Sequence, residues 1–284
     1  MANGNAQTVR RIEGQNTHLN RPIHSIFYDA IHDELVVPSA QGQAIMTFRG
    51  GVDGEEAPMR IIQGPKTQLV FPDMCTVDPV HNEIFVPVRG AGVIEGRSMI
   101  YVFDRTAQGD VAPIRKLGGP NSNLGGNPSV VWDHDLLLSS SRGRGNRGVG
   151  VFNRTATGDA RPLRRITGGP KSGTNGPGTP VWIPGTRNFL AETRPFGAKT
   201  AGDLPGAPDN YQTPEDALTF IGVWSIDDNG DVAPRYTIAH NVLKEFRNMT
   251  LDPKNKTIMI ADKTANAIYT FSFPEAWESL PPAR

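Results

Sequence analysis

The chain has 284 residues, and its 29 lysines and arginines balance 29 aspartates and glutamates, so the formal net charge is zero. A neutral surface has no overall field that attracts nucleic acid or an anionic membrane, and neither is expected as a partner. The single cysteine, Cys75, excludes a disulfide framework. No apolar run approaches the roughly 20 residues that span a bilayer. The first residues lack a signal segment, which fits a cytoplasmic protein or a secreted one whose leader was removed.

One phrase occurs five times along the chain, beginning with GNAQTVRRIEG and repeated in forms such as GDVAPIRKLGG. Its copies lie at 4–14, 54–64, 109–119, 158–168 and 230–240. Self-similarity at a spacing of about fifty residues is typical of propellers and solenoids. Residues that recur are expected to serve the architecture, and residues that break the pattern are candidates for function.

Each repeat contains three short apolar or alternating segments, and the phrase supplies a fourth. In the first repeat they lie at 23–29, 35–37 and 44–48. Short β-branched or aromatic runs punctuated by Gly, Pro, Asn and Asp predict strands, and four antiparallel strands make one propeller blade. We predict a single all-β domain over 1–284, a five-bladed β-propeller, with a six-bladed ring as the alternative. The blades fall at about 20–64, 70–119, 126–168, 178–240 and 246–273 plus 4–14.

The last blade is expected to be completed by the start of the chain. The fifth repeat stops after its third segment, whereas the sequence begins directly with the phrase. Pairing of residues 8–12 with the last blade would remove two exposed sheet edges and close the ring.

The segments 22–29, 72–78 and 128–133 each begin with proline and end with aspartate before an apolar strand. In this they resemble the P-x-x-h-x-x-D pattern of bacterial NHL-like and TolB-like propeller repeats, h being apolar. The fifth repeat keeps Asp252 without the proline, and the fourth carries Pro184 instead of the aspartate. The resemblance implies the propeller fold. Relatives of this kind include binding modules, lyases, lactonases and scaffold proteins, so the fold does not select a function.

Three sets of residues recur at equivalent places and are interpreted as structural. The arginines of the phrase should pair with a neighbour or cover the outer rim, and the aspartates that end the first strand should cap the following turn. The turn histidines are interpreted as surface residues. These sets are Arg10, Arg60, Arg115 and Arg164; Asp29, Asp78, Asp133 and Asp252; and His32, His81 and His134.

The loops between second and third strands have unequal lengths. Those of the second, third and fourth repeats are extended, and the fourth, at about 193–218, contains several prolines together with Phe196 and Tyr211. Loops of this length in a compact domain are usually functional or disordered. We predict a lid or binding loop over one face of a monomeric propeller.

Four cations are expected to surround the mouth of the central channel. Arg89, Arg194 and Lys263 follow the second strands of their repeats, and Arg142 lies one place later in its own. Arginine binds carboxylates and phosphates in a bidentate manner, so a small anionic ligand is predicted. Alternatively, each cation pairs with a local acid or is solvated.

The residues at the top of the channel strands also differ from one another. They are His24, Asp73, Asn127, Thr179 and Arg247. A histidine, a carboxylate that orients it and an arginine that stabilises an oxyanion can perform acid–base catalysis. Glu192 is a second candidate carboxylate, and Asn127 and Thr179 are candidate substrate contacts. No cofactor is predicted. A divalent metal held by His18, His24 and His240 with Asp73 or Glu192 is an alternative without supporting ligand spacing.

The sequence favours an enzyme of hydrolase, lyase or isomerase type that acts on a small anionic substrate, with His24 as acid or base. The alternative is a non-catalytic propeller whose long-loop face binds a protein or a carbohydrate. Arg142, Arg144 and Arg147 resemble a short nucleic-acid-binding segment, but the zero net charge argues against that function.

Overall fold

The computed structural model describes residues 7–20, 23–88, 98–141, 147–174, 178–193, 220–239, 243, 246–262 and 265–282. In these residues, nineteen strands form five small antiparallel sheets. Helical structure in the same residues consists of short 3-10 turns at Gln15–Thr17, Pro65–Thr67 and Pro274–Trp277. The expected fold class, an all-β five-bladed β-propeller, is confirmed. No helix within the described ranges is long and apolar enough to cross a membrane.

The polypeptide groups into two compact units, Met1–Lys116 and Leu117–Arg284. The first unit contains two four-stranded sheets, and the final strand of the second sheet ends on the first residue of the next unit. The strands are β1 (Phe27–Asp29), β2 (Glu34–Ser39), β3 (Ala44–Arg49) and β4 (Arg60–Gln63), then β5 (Thr76–Asp78), β6 (Glu83–Val88), β7 (Met99–Asp104) and β8 (Arg115–Leu117).

The second unit contains two four-stranded sheets and a last sheet that has three strands in the described residues. Their strands are β9 (Pro128–Val131), β10 (Leu136–Ser141), β11 (Gly148–Asn153) and β12 (Arg164–Thr167); β13 (Val181–Trp182), β14 (Asn188–Thr193), β15 (Phe220–Ser225) and β16 (Tyr236–Ala239); and β17 (Phe246–Asp252), β18 (Thr257–Asp262) and β19 (Ala267–Ser272). All five sheets fall within the intervals expected for the blades. The single domain over 1–284 and its closure by residues 8–12 stay predictions.

Strands follow one another in chain order within every sheet. The second strand is the most buried: all six positions of β6 and of β10 are buried. A strand buried on both faces needs a continuous apolar run, which is the pattern of residues 84–86 and 136–138. The first strands are shorter than expected, since β1 covers only the last three residues of the predicted 23–29 segment.

The phrase connects successive sheets by a repeated bridge. Ile12 forms a parallel bridge with Gly54, and Ile62 forms the same bridge with Gly109 in the first unit. The second unit repeats it at Leu117 with Gly158 and at Ile166 with Gly230. Ile12 therefore contacts the first sheet in the same way as Ile62, a residue of the fourth strand β4, contacts the second sheet.

In four of the five phrases an acidic residue follows the hairpin glycine. Its carboxylate fixes the loop that leads into the first strand of the same sheet. We call this contact the carboxylate clamp. Asp110 accepts a hydrogen bond from the Lys66 amide at 2.6 Å, and Asp231 accepts one from the Ser172 amide at 2.7 Å. In the same way, Glu55 accepts a hydrogen bond from the Asn16 amide, and Asp159 accepts hydrogen bonds from the amides of Asn121 and Ser122. A Cβ on Gly64, where φ is +134°, would meet the Asp110 carboxylate at 2.5 Å, so this place requires glycine.

Most of the residues interpreted as structural have structural contacts, whereas Arg10 is exposed. Asp29 accepts hydrogen bonds from the amides of Ile31 and His32 and contacts the His32 ring at 2.7 Å. Asp78 with His81 and Asp252 with Asn255 repeat this turn. Asp133 differs, because its carboxylate lies 3.7 Å from the adjacent His134. Arg60 and Arg115 pair with Glu34 and Glu83, and Arg164 donates to the carbonyl of Ile226.

Candidate functional site

His24 and Asp73 lie together in the first unit, in the segments that precede β1 and β5. The His24 Nδ1 atom is 3.8 Å from the Asp73 Oδ2 atom. This separation exceeds a hydrogen bond, and side chains in unliganded catalytic sites often approach only when substrate binds. The predicted alignment of these two positions in adjacent repeats therefore brings an imidazole beside a carboxylate.

The two side chains differ in exposure. The His24 side chain is 46% exposed and the Asp73 side chain 15%. The Asp73 Oδ1 atom is inaccessible and has no hydrogen-bond partner among the described residues. Buried carboxylate oxygens are almost always hydrogen-bonded, so an unsatisfied one beside an accessible imidazole requires an explanation.

The backbone is strained two residues before Asp73. Phe71 has φ of 48° and an exposed side chain, although a bulky residue in the left-handed region is a conformational outlier. Such strain concentrates at functional sites and switch regions. Ile23 and Ile26, on either side of His24, are also exposed, so the imidazole lies in an apolar stretch of surface.

Asn127 and Thr179 form the corresponding pair in the second unit. The Asn127 Nδ2 atom donates to the Thr179 Oγ1 atom at 2.9 Å, and Asn127 is buried. Hydrogen bonding between these side chains stabilises adjacent sheets, which is a structural explanation for both residues.

Glu192, the second candidate carboxylate, lies in β14 opposite Ile221. Its carbonyl accepts a hydrogen bond from the Gly178 amide at 2.9 Å. A Cβ on Gly178 would meet the Glu192 Oε2 atom at 2.5 Å, so glycine allows the carboxylate to approach the segment that leads to β13. Glu192 makes further contacts in the structure.

Several predicted site residues lie outside the described residues. They are Arg89, Arg142, Arg194, Lys263, Phe196, Tyr211 and His240. Arg247 belongs to β17, but its side chain is not described. The four cations, the lid at 193–218 and the arginine beside His24 stay predictions.

The conformation of His18 has an architectural explanation. His18 ends the first 3-10 turn with φ of 57°, and Gln68 ends the equivalent second turn with φ of 54°. In both turns a threonine hydroxyl donates to the preceding glycine carbonyl at 2.7 Å. Across the described ranges, no three His, Cys, Asp or Glu side chains are grouped as metal ligands would be.

Sequence reasoning missed a cavity of about 580 Å³ in the first unit. It is lined by loop residues near the ends of β4 and β6, and neither His24 nor Asp73 is among them. Its residues come from four separate segments without a recognisable motif. The only sequence signal is the density of glutamine at 41–43, 63 and 68.

Comparisons with known proteins support the fold. No family model matches the chain, and no curated protein matches it, so the resemblance to NHL-like and TolB-like repeats stays a prediction. Among solved structures, the chain is similar to Kuenenia stuttgartiensis hydrazine synthase, with TM-score 0.52 and 14% identity over 89% of this chain. It is also similar to the β-propeller domain of Myceliophteria thermophila Cps50 (Swd1), with TM-score 0.54 and 11% identity over 89% of this chain. The chain covers 65% and 66% of those two chains, just under two thirds.

Proposed function

We propose that this protein is an enzyme that acts on a small anionic molecule, with His24 as the acid or base and Asp73 as the residue that orients it. The observation that supports the proposal is the contact between the accessible His24 imidazole and Asp73, whose Oδ1 atom is buried without a partner among the described residues. Substrate binding would shorten the 3.8 Å separation into a hydrogen bond.

The chemistry is proton transfer in a hydrolase, lyase or isomerase reaction. A neutral imidazole removes a proton from water or from carbon, and the imidazolium then returns a proton to the leaving atom. A carboxylate beside the ring fixes its orientation and stabilises the imidazolium. In the first unit, Arg89 is the proposed contact for the anionic group of the substrate.

A matched pair of histidine variants tests this role. His24→Gln should lower kcat/KM by about 100-fold or more, since general acid–base catalysis contributes at least that factor. His32→Gln is the control, because the His32 ring contacts Asp29 as part of a turn and should retain turnover. The measurement is turnover of a panel of carboxylated and phosphorylated esters, lactones and hydroxy acids by the wild-type protein and both variants.

Retention of wild-type turnover by His24→Gln would contradict the catalytic role. Loss of turnover in His32→Gln as well, with unchanged folding, would also contradict it, because the two histidines would then be equivalent. Asp73→Asn should lower kcat more than it raises KM, because the substitution keeps the side-chain shape but removes the charge.

The second candidate function is a non-catalytic binding module for a protein partner. The exposed Ile23, Ile26 and Phe71 side chains near the His24–Asp73 pair favour it, since apolar and aromatic side chains are the usual anchors of interfaces. A binding module would turn over no compound of the panel, so the same assay distinguishes the two candidates.

A further inference from the structure

The first unit has a cavity whose rim is formed by four glutamines. We call it the glutamine-rimmed cavity, and its rim residues are Gln41, Gln43, Gln63 and Gln68. Its volume of about 580 Å³ lies within the range of about 300–1,000 Å³ that is usual for small-molecule sites. The rim glutamines are exposed, whereas the floor residues Leu69 and Val88 are buried.

Tyr101, in β7, contributes a polar group to the cavity. The residue is only 6% exposed and lines the cavity, and its side chain forms no hydrogen bond within the described part of the chain. Burial raises the pKa of the Tyr101 hydroxyl, so the hydroxyl is a donor at neutral pH. The Lys116 ammonium lies 4.9 Å from the centre of the Tyr101 ring and restrains its position.

The glutamine side chains retain unused donors and acceptors. The Gln63 Nε2 atom donates to the Gly42 carbonyl at 2.8 Å, and the Gln68 Oε1 atom accepts from Lys116 at 2.6 Å. The other polar atom of each amide is available to a ligand. The side chains of Gln41 and Gln43 form no hydrogen bond with any described residue.

None of the described lining residues carries a charge, and the neighbouring Lys116 ammonium already contacts the Tyr101 ring and the Gln68 Oε1 atom. A charged ligand would therefore lose hydration without a compensating partner among them. We infer that the glutamine-rimmed cavity binds a neutral, hydroxyl-rich compound, a saccharide, through the amides of its rim and the Tyr101 hydroxyl. This site is separate from the His24–Asp73 pair, and the inference does not rest on the proposed catalytic function.

The hydrogen-bonding groups and the apolar floor of the cavity are complementary to the surface of a sugar. A hydroxyl group both donates and accepts hydrogen bonds, as a carboxamide does, and the apolar floor can cover the C–H face of a pyranose ring. An extended peptide usually adds to the free edge of a sheet, whereas this cavity is built mainly from loops and strand ends. The geometry therefore favours a saccharide over a peptide.

Titration of the full chain with saccharides tests this assignment. The probes are glucose, N-acetylglucosamine, maltose and cellobiose, with four- to six-unit glucose oligomers beside them, and heat of binding is the readout. At least one probe should bind saturably with Kd of about 10 mM or tighter. Equal affinity for the small sugars and oligomers indicates a free sugar as ligand, and tighter binding of the oligomers indicates a glycan chain.

Two variants assign the binding to this cavity. Tyr101→Phe, which removes only the hydroxyl, and Gln41→Ala should each weaken binding by about threefold to tenfold, as loss of one hydrogen bond does. Tyr28→Phe is the control, because Tyr28 is exposed and its hydroxyl donates to Asp33 outside the cavity.

The assignment is wrong if no probe binds saturably at about 10 mM. It is equally wrong if Tyr101→Phe and Gln41→Ala bind a saccharide as the wild type does, because the sugar would then occupy another place. Neither result bears on turnover by His24, so failure here and failure of the catalytic proposal remain distinguishable.

Discussion

The contact of His24 with aspartate differs from those of His32 and His81. His32 and His81 touch the aspartate three residues earlier at 2.7 and 2.8 Å, and the same carboxylates accept backbone amides of the turn. His24 instead approaches an aspartate from another repeat at 3.8 Å. The short local contacts stabilise turns, whereas the longer contact leaves both side chains able to bind a third group.

Cys75 is predicted to be unreactive in the folded protein. Burial raises the pKa of its thiol to about 12, so the reactive thiolate is nearly absent at neutral pH. In a thiol assay with an aromatic disulfide reagent, the native protein should show no modification, and the protein in guanidinium should show one thiol per chain. Rapid modification of the native protein would contradict the buried position of Cys75.

Among the structural elements, the carboxylate clamp shows a limit of sequence reasoning. The phrase is recognisable as a repeat, but nothing in the sequence indicates what its acidic position contacts. Its partners are backbone amides such as that of Lys66 in the loop after the preceding phrase. A backbone amide has no sequence signature, and only the Gly and Ser or Thr of the loop, as in Gly64 and Thr67, indicate its conformation.

The clamp predicts a pH dependence of stability. Burial alone would raise the pKa of Asp231. Hydrogen bonds from the amides of Ser172 and Lys171 lower it by a larger amount, so the pKa lies below its ordinary value of 3.8. A carboxyl whose pKa is lower in the folded state stabilises the fold above its unfolded pKa and loses this contribution as pH falls. The Tm difference between wild type and Asp231→Asn should shrink from about pH 6 to about pH 3.

Glu275→Gln is the control for this experiment. Glu275 is exposed, and its side chain has no hydrogen bond in the described part of the chain. Its substitution should change Tm equally little at both pH values. A Tm difference for Asp231→Asn that stays constant or grows on acidification would contradict the clamp.

At the scale of the whole molecule, the fold could be predicted because it repeats. Five copies of one phrase indicate the number of sheets. Short apolar or alternating runs, separated by Gly, Pro, Asn and Asp, indicate the strands. The pairing of His24 with Asp73 could also be predicted, since equivalent positions in adjacent repeats become neighbours. The glutamine-rimmed cavity could not, because residues as far apart as Gln41 and Tyr101 meet only after two sheets pack.

We infer that the recurring residues stabilise the fold, whereas His24, which breaks the repeat, is available for function. Asp29 recurs, is 1% exposed and accepts two backbone amides, whereas His24, a few residues earlier, is 46% exposed. Loss of a buried charged acceptor costs roughly 1–3 kcal/mol, and each kcal/mol shifts Tm by about 2–4 °C in a protein of this size.

Thermal unfolding of Asp29→Ala and His24→Ala in one buffer tests this division of roles. We predict that Asp29→Ala lowers Tm by about 2–12 °C, while His24→Ala leaves Tm within about 1 °C of the wild-type value. Equal losses in the two variants, or a larger loss in His24→Ala, would contradict the division between residues that stabilise and residues that act.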